Sequence, residues 1–155
     1  KSKSGIVVKG IHDVAVRFSK CCSPIPGDEI VGFVTRGRGI TIHRTDCVNV
    51  LNMSELDRNR LIEAEWQTPD SKTVEKYEAE IQVYANNRTG LLVDLSKIFT
   101  ERKIDLRSIN SRTSKQEMAT ITMSFNVGSK QELQTLIEKI RQIESVIDVK
   151  RRTTG

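Results

Sequence analysis

The sequence predicts an α+β protein with two domains: a small β-rich domain that contains all three cysteines, followed by a ferredoxin-like βαββαβ domain. Three observations support this prediction. Residues 77–152 alternate between a hydrophobic period of two and a period of about 3.6, in the order strand, helix, strand, strand, helix, strand. Residues 1–66 hold short alternating runs between Gly- and Pro-containing turns. Residues 67–76 are polar and lack any hydrophobic period, which is typical of a linker.

The elements of the first domain follow from short alternating patterns. A first strand is expected at Val14–Phe18, where every second residue is apolar. The runs 29–36 and 40–43 predict a hairpin, with Gly37 and Gly39 in its turn. Thr45 or Asp46 is expected to cap a short helix from Cys47, and residues 61–66 predict a last strand. A unit of about 60 residues has a small core, so it often needs a metal or a partner for stability.

The second domain has clearer periodicity. Residues 77–85 predict a half-buried strand, and the turn 86–90 leads into a helix whose apolar stripe starts at Leu91. Two further strands are expected at 104–112 and 118–127. Ser129 and Glu132 form a capping-box pattern before a second helical stripe, and 146–151 predicts the last strand. Both helices should pack on one face of a four-stranded antiparallel sheet.

Composition narrows the class of protein. The chain has 155 residues, of which 37% are hydrophobic and 29% charged, and no apolar run is long enough for a membrane span. The net charge is +5, and the excess lies in residues 1–52, which hold eight Lys/Arg against four Asp/Glu. Three cysteines, two of them adjacent, are a poor disulfide framework and favour a reducing, cytoplasmic location. The chain starts without methionine, so we expect a segment of a longer protein.

The cysteines and one histidine suggest a metal site. Cys21, Cys22, His43 and Cys47 supply three sulfurs and one imidazole, a set that suits tetrahedral Zn²⁺. Adjacent cysteines converge less easily than a C-x₂-C pair, so small buried cysteines beside a satisfied histidine remain an alternative. A cysteine nucleophile with His43 as base is a further alternative without an evident oxyanion site. His12-Asp13 lacks the other histidines that a metal phosphohydrolase needs.

A second candidate site is the stretch NNRTGLL at 86–92. It joins a strand to a helix N-terminus, where unpaired N–H groups attract a carboxylate. Asn87 and Arg88 offer further donors, and Asp105 in the next strand offers a partner for an ammonium group. An amino-acid ligand is therefore one interpretation, and an ordinary strand–helix turn is the other. The predicted ligand set is Asn87, Arg88, Gly90, Leu91, Leu92, Ile104, Asp105 and Leu106.

Both halves resemble the long RelA/SpoT-type (Rel) proteins that make and degrade (p)ppGpp. The motifs CC-x-P-x-PGD-x-I-x-G and GRG-x₃-HR-x-DC, within residues 8–50, resemble the conserved-cysteine region of that family, also called the zinc-finger or ribosome-intersubunit (RIS) domain. NRTGLL resembles the ACT-domain pattern DRxGLL, with Asn87 in place of the common Asp. The resemblance implies that Cys21, Cys22, His43 and Cys47 are zinc ligands, and that 86–92 is the ACT ligand loop.

The resemblance also implies a regulatory, non-catalytic role. The parent would be a GTP diphosphokinase, a (p)ppGpp hydrolase, or both, with its catalytic domains upstream. This region would dock on 23S rRNA near the ribosomal A site when deacylated tRNA signals starvation, and would control those domains. Sensing of a branched-chain amino acid by the ACT domain, with pairing of two copies through that domain, is the alternative. From charge alone, we expect Arg36, Arg38 and Arg44 to contact RNA.

Overall fold

The computed structural model describes residues 5–8, 15–37, 39–67 and 76–154. The chain forms two compact units, one comprising Lys1–Glu75 with Thr153–Gly155 and the other Lys76–Arg152. The α+β class is confirmed. Among the described residues, no helix combines the length and apolar character that crossing a bilayer requires.

The first unit is built on a five-stranded sheet with two one-turn helices. Its strand order is β1-β5-β3-β4-β2, and only the β2–β4 pair is parallel. The elements are β1 (Ile6–Val8), β2 (Val16–Phe18), β3 (Ile30–Thr35), β4 (Gly39–Arg44), α1 (Val48–Leu51), α2 (Glu55–Arg58) and β5 (Leu61–Trp66). The hairpin and the last strand were predicted, whereas β1 and α2 were not.

Two small cores lie on opposite faces of this sheet. One contains Ile6, Val8, Ile40 and Ile42, with partly buried apolar neighbours around them. Across it Phe18 of β2 and Trp66 of β5 stack at 5.6 Å. Because β2 and β5 are not neighbours in the sheet, this contact shows that the sheet curls around its core. The other face carries a separate cluster of cysteines and valines.

The prediction that Thr45 or Asp46 caps the first short helix is wrong. Cys47 itself occupies the cap position of α1, and no side chain accepts a hydrogen bond there. Asp46 instead pairs with Arg44, at 3.0 Å between Oδ1 and Nε. The Asp46 carboxylate therefore stabilises the turn between His43 and Cys47 rather than the start of the helix.

The second unit has the predicted βαββαβ order and an antiparallel sheet of order β7-β8-β6-β9. Its elements are β6 (Tyr77–Asn86), α3 (Leu91–Glu101), β7 (Leu106–Thr113), β8 (Met118–Val127), α4 (Lys130–Arg141) and β9 (Val146–Arg151). Alternate residues of β6 and β8 are buried on one face, where Phe99 of α3 meets Phe125 edge-on at 5.1 Å.

The capping box before α4 is confirmed with one difference. The Ser129 hydroxyl accepts from the Glu132 N–H at 3.1 Å, as predicted. The Glu132 carboxylate accepts from the N–H of Gly128 at 2.8 Å, one residue before the cap. The first contact satisfies a donor of the first helical turn, and the second satisfies the N–H of the residue that precedes the cap.

Candidate functional site

The structure brings all four predicted metal ligands together in the first unit. The ligand atoms of Cys21, Cys22, His43 and Cys47 all lie within 4.8 Å of one another. The Cys21 sulfur is 3.4 Å from the Cys47 sulfur and 3.5 Å from His43 Nδ1, and the Cys22 sulfur is 3.9 Å from that nitrogen. Tetrahedral Zn²⁺ with bonds of about 2.0–2.3 Å places ligand atoms about 3.5–3.8 Å apart. The donor set and its spacing therefore fit a zinc ion.

Local backbone geometry explains how adjacent cysteines converge. The chain reverses after Cys22, where Ser23 adopts φ 48° and its N–H donates to the Ser19 carbonyl at 3.0 Å. This tight turn follows β2 directly, so both sulfurs face the end of β4. Although adjacent cysteines converge less easily than a C-x₂-C pair, both sulfurs reach the cluster in this turn.

Backbone and side-chain donors surround the sulfurs. The Arg44 N–H donates to the Cys22 sulfur at 3.3 Å, and the Ser19 hydroxyl lies 2.7 Å from the Cys21 sulfur. Hydrogen bonds of this kind orient metal ligands and stabilise thiolate charge. Sequence reasoning missed Ser19, although its place two residues before Cys21 on the same turn was a usable signal.

The protonation of the cluster follows from burial. Burial raises the pKa of the Cys22 thiol to about 12 and also raises the pKa of Cys47. Burial acts on Cys21 in the same direction, but hydrogen bonds from Ser19, Asn49 and the other cysteines outweigh it and leave its pKa below the usual value. Burial lowers the pKa of His43, so its imidazole is neutral and can serve as a ligand. Metal binding must then displace protons from at least two thiols.

The three predicted RNA-contacting arginines have different positions. Arg36 is exposed in the turn between β3 and β4. Arg38 lies outside the described residues. Arg44 is only 3% exposed, and the prediction that it contacts RNA is wrong for this conformation. Arg44 shares the inward face of β4 with Ile40 and Ile42, since residues two apart on a strand point the same way.

In the second unit, the loop before α3 has most of its donors engaged internally. The Arg88 guanidinium donates to the Glu144 carbonyl at 3.0 and 3.1 Å and pairs with Asp94 at 2.8 Å. Asn87 Nδ2 donates to Glu117 Oε2 at 3.2 Å. Gly90 caps the helix with φ 81°, and the following Leu91 is buried while Leu92 is exposed. The loop therefore fixes the start of α3 with the groups that an amino-acid ligand would need.

The rest of the predicted ligand set lies elsewhere. Leu106 pairs with Phe125, which in turn pairs with Ala79, whereas the loop follows Asn86 at the far end of β6. Asn86 lies seven positions after Ala79, about 23 Å along the strand at about 3.3 Å per residue. Ile104, Asp105 and Leu106 thus lie at the opposite end of the sheet from 86–92. The prediction that residues 86–92 and 104–106 of one chain form a single ligand site is wrong.

Comparison with known proteins identifies both units. The RelA/SpoT RIS domain matches residues 6–67, and the ACT domain matches residues 73–151. A GTP pyrophosphokinase of Streptomyces coelicolor is 39% identical over 97% of this chain, and one of Escherichia coli K12 is 37% identical over 97%. The chain spans 17% and 20% of the length of these two relatives.

Solved structures are also similar to part of the chain. The ACT domain of a GTP pyrophosphokinase from Chlorobium tepidum aligns with 50% of this chain and 99% of its own length, with 21% identity and a TM-score of 0.45. The two domain matches follow one another along the chain, and the relatives match it from end to end. The chain therefore belongs to the RelA/SpoT family, as the regulatory C-terminal region of a protein homologous to GTP pyrophosphokinases.

Proposed function

We propose that this region docks a RelA/SpoT-type GTP pyrophosphokinase on the ribosome, against 23S rRNA near the A site, and thereby controls the catalytic domains upstream. The observation that carries the proposal is the exposed Arg36 in the β3–β4 turn. Among the residues that the structure describes, its side chain has no ion pair, whereas Arg44 is buried against the sheet. A cation held in a hairpin turn without an internal partner suits a phosphate contact.

We further propose that Zn²⁺ holds this docking unit in shape. Among the residues of the first unit that the structure describes, the main core cluster has four buried members, so four metal–ligand bonds on the other face would supply stability that apolar burial does not. When bound, the ion would serve as a structural cross-link, with three protein thiolates and one imidazole closing all four positions. On this proposal the thiols act on no substrate.

Ribosome co-sedimentation of the full-length protein tests the docking proposal. Arg36→Glu should weaken association, and the dependence on salt between about 50 and 200 mM should become shallower, because fewer counterions are released. Lys97→Glu makes the same charge change on α3 of the other unit and serves as the control. Unchanged sedimentation of Arg36→Glu beside the wild type would refute the role of this turn.

We propose that the full-length protein is a GTP pyrophosphokinase, which is the name that its relatives carry. Amino-acid sensing by the ACT unit is the weaker alternative, because Asn87 and Arg88 are already paired within the chain. A site that uses both 86–92 and 104–106 would need two copies, with the loop of one beside Ile104–Leu106 of the other. Homodimerisation through the ACT unit is therefore a condition of that alternative.

A further inference from the structure

The face of the first sheet opposite its main core carries an aromatic residue between two arginines. Strand register places Arg17 beside Thr41, and Thr41 beside Phe33. Neighbouring residues in register point to the same face, and here that face is opposite to Ile40 and Ile42. The guanidinium of Arg60 lies over the Phe33 ring, 4.8 Å from its centroid. We call Arg17, Thr41, Phe33 and Arg60 the arginine–phenylalanine row.

The charged groups of the row are available for a ligand. Arg17 is exposed, Arg60 and Phe33 are partly exposed, and within the described ranges neither arginine forms an ion pair or a side-chain hydrogen bond. Other arginines of the same unit are engaged: Arg44 with Asp46, and Arg58 with the carbonyls of Val50 and Leu51. A guanidinium held on an aromatic ring keeps its in-plane N–H groups free while its flat face extends the stacking surface.

The row lies next to the metal cluster on the same face. Val31 pairs with His43 and packs against Cys22 and Cys47, and it stands two residues before Phe33 on β3. That spacing is about 6.6 Å along the strand. On β5, Glu63 and Glu65 lie on this face beyond Leu61 and place negative charge at one edge of the row. The positive charge of this face therefore lies at Arg17 on β2, at Arg60 over the Phe33 ring and in the β3–β4 turn.

We propose that this row binds an unpaired nucleotide of RNA. The base stacks on the Phe33–Arg60 pair, Arg17 contacts a phosphate two strands away, about 10 Å from Phe33, and Arg36 contacts a further phosphate. This inference rests on the proposed docking function and names the form of RNA that the site takes: a single strand or a flipped base rather than a duplex. An aromatic ring flanked by unpaired cations suits nucleobases better than an apolar peptide.

Binding of the zinc-loaded 155-residue chain to fluorescent poly(U), measured by anisotropy over a salt series, tests the row. Phe33→Leu should weaken binding roughly 5- to 160-fold, the range for loss of one base stack, with an unchanged salt slope. Arg17→Ala should reduce the slope by about 0.7, the value for one phosphate of a single strand. Lys97→Ala removes one charge from the other unit and should leave both quantities unchanged. An RNA duplex of equal length should bind more weakly than poly(U).

Several outcomes would overturn the proposal. Stacking would be excluded if both Phe33→Leu and Arg60→Gln bind poly(U) within twofold of wild type. Arg60→Gln leaves the aromatic ring in place, so it still tests stacking if Phe33→Leu fails to fold. A wild-type chain that binds a phosphopeptide but not poly(U) would assign the row to a protein ligand. Two results together would separate the proposals. If Arg36→Glu abolishes ribosome docking while the row variants bind poly(U) normally, the row does not bind RNA but the docking function stands.

Discussion

Two glycines in the β3–β4 turn allow a matched test of the fold. Both Gly37 and Gly39 have positive φ, 68° and 103°. A Cβ on Gly37 would meet nothing within 4 Å, so Gly37→Ala should cost only the left-handed backbone strain, about 1–2 kcal/mol. A Cβ on Gly39 would overlap the Ala15 carbonyl oxygen and lie 3.1 Å from its carbon. That carbonyl accepts the Ile40 N–H at 2.9 Å where β2 joins the sheet.

Gly39→Ala should therefore destabilise the first unit by about 2–4 kcal/mol: about 1–3 kcal/mol of backbone strain and about 1 kcal/mol for the broken hydrogen bond. Trp66 is the only tryptophan of the chain and stacks on Phe18 of β2, so its fluorescence reports this unit. In urea, with a slope of about 1 kcal/mol per molar, the two variants should differ in midpoint by about 1.5 M. Midpoints within about 0.5 M of each other would refute the close approach between Gly39 and the Ala15 carbonyl.

Two further predictions concern the candidate sites. Cys47→Ser should reduce bound zinc, measured by element analysis, from about one equivalent to near zero, because it removes a buried ligand of a four-ligand site. Ser54→Ala, which removes only the cap of α2, should retain the metal, and zinc retained in Cys47→Ser would contradict the assignment. Leucine or valine at millimolar concentration should give no calorimetric heat with the monomeric chain, because Arg88 is already paired with Asp94 and Glu144. A saturable heat would contradict this.

The parts of the fold that local pattern determines could be predicted, and those that depend on long-range register could not. Alternation alone defined β8, and Ser129 with Glu132 marked the start of α4. Ile104–Leu106 was misplaced because the 11 residues of α3 carry the chain back about 16 Å before β7 begins, so that strand starts at the far end of the sheet.

In the cysteine unit, residue type predicted which side chains cluster as candidate metal ligands, but charge alone misassigned Arg44. Its position two residues after Ile42 already placed it on the inward face of β4. Phe33 and Arg17 were overlooked because no local motif joins them. Only the register of β2, β4 and β3 makes them neighbours on one face.

Metal binding and the arginine–phenylalanine row should be coupled through β2. This edge strand has three residues, and its described backbone pairing is to β4 alone. Cys21 and Cys22 follow it within four residues, and His43 lies at the end of β4, so a bound ion would connect the two strands at their shared end. Without the ion, the attachment of β2 depends on a short parallel ladder and on the Phe18–Trp66 stack.

Zinc removal by a chelator should therefore reduce the contribution of Arg17 to poly(U) binding more than that of Phe33. Phe33 lies on β3, which is held between two other strands. In poly(U) binding, the metal-free wild type should show the reduced salt slope of zinc-loaded Arg17→Ala while the cost of Phe33→Leu persists. Restored zinc should restore the slope. Equal loss of both contributions would mean that the ion maintains the whole unit, and an unchanged slope would mean that β2 holds its place without it.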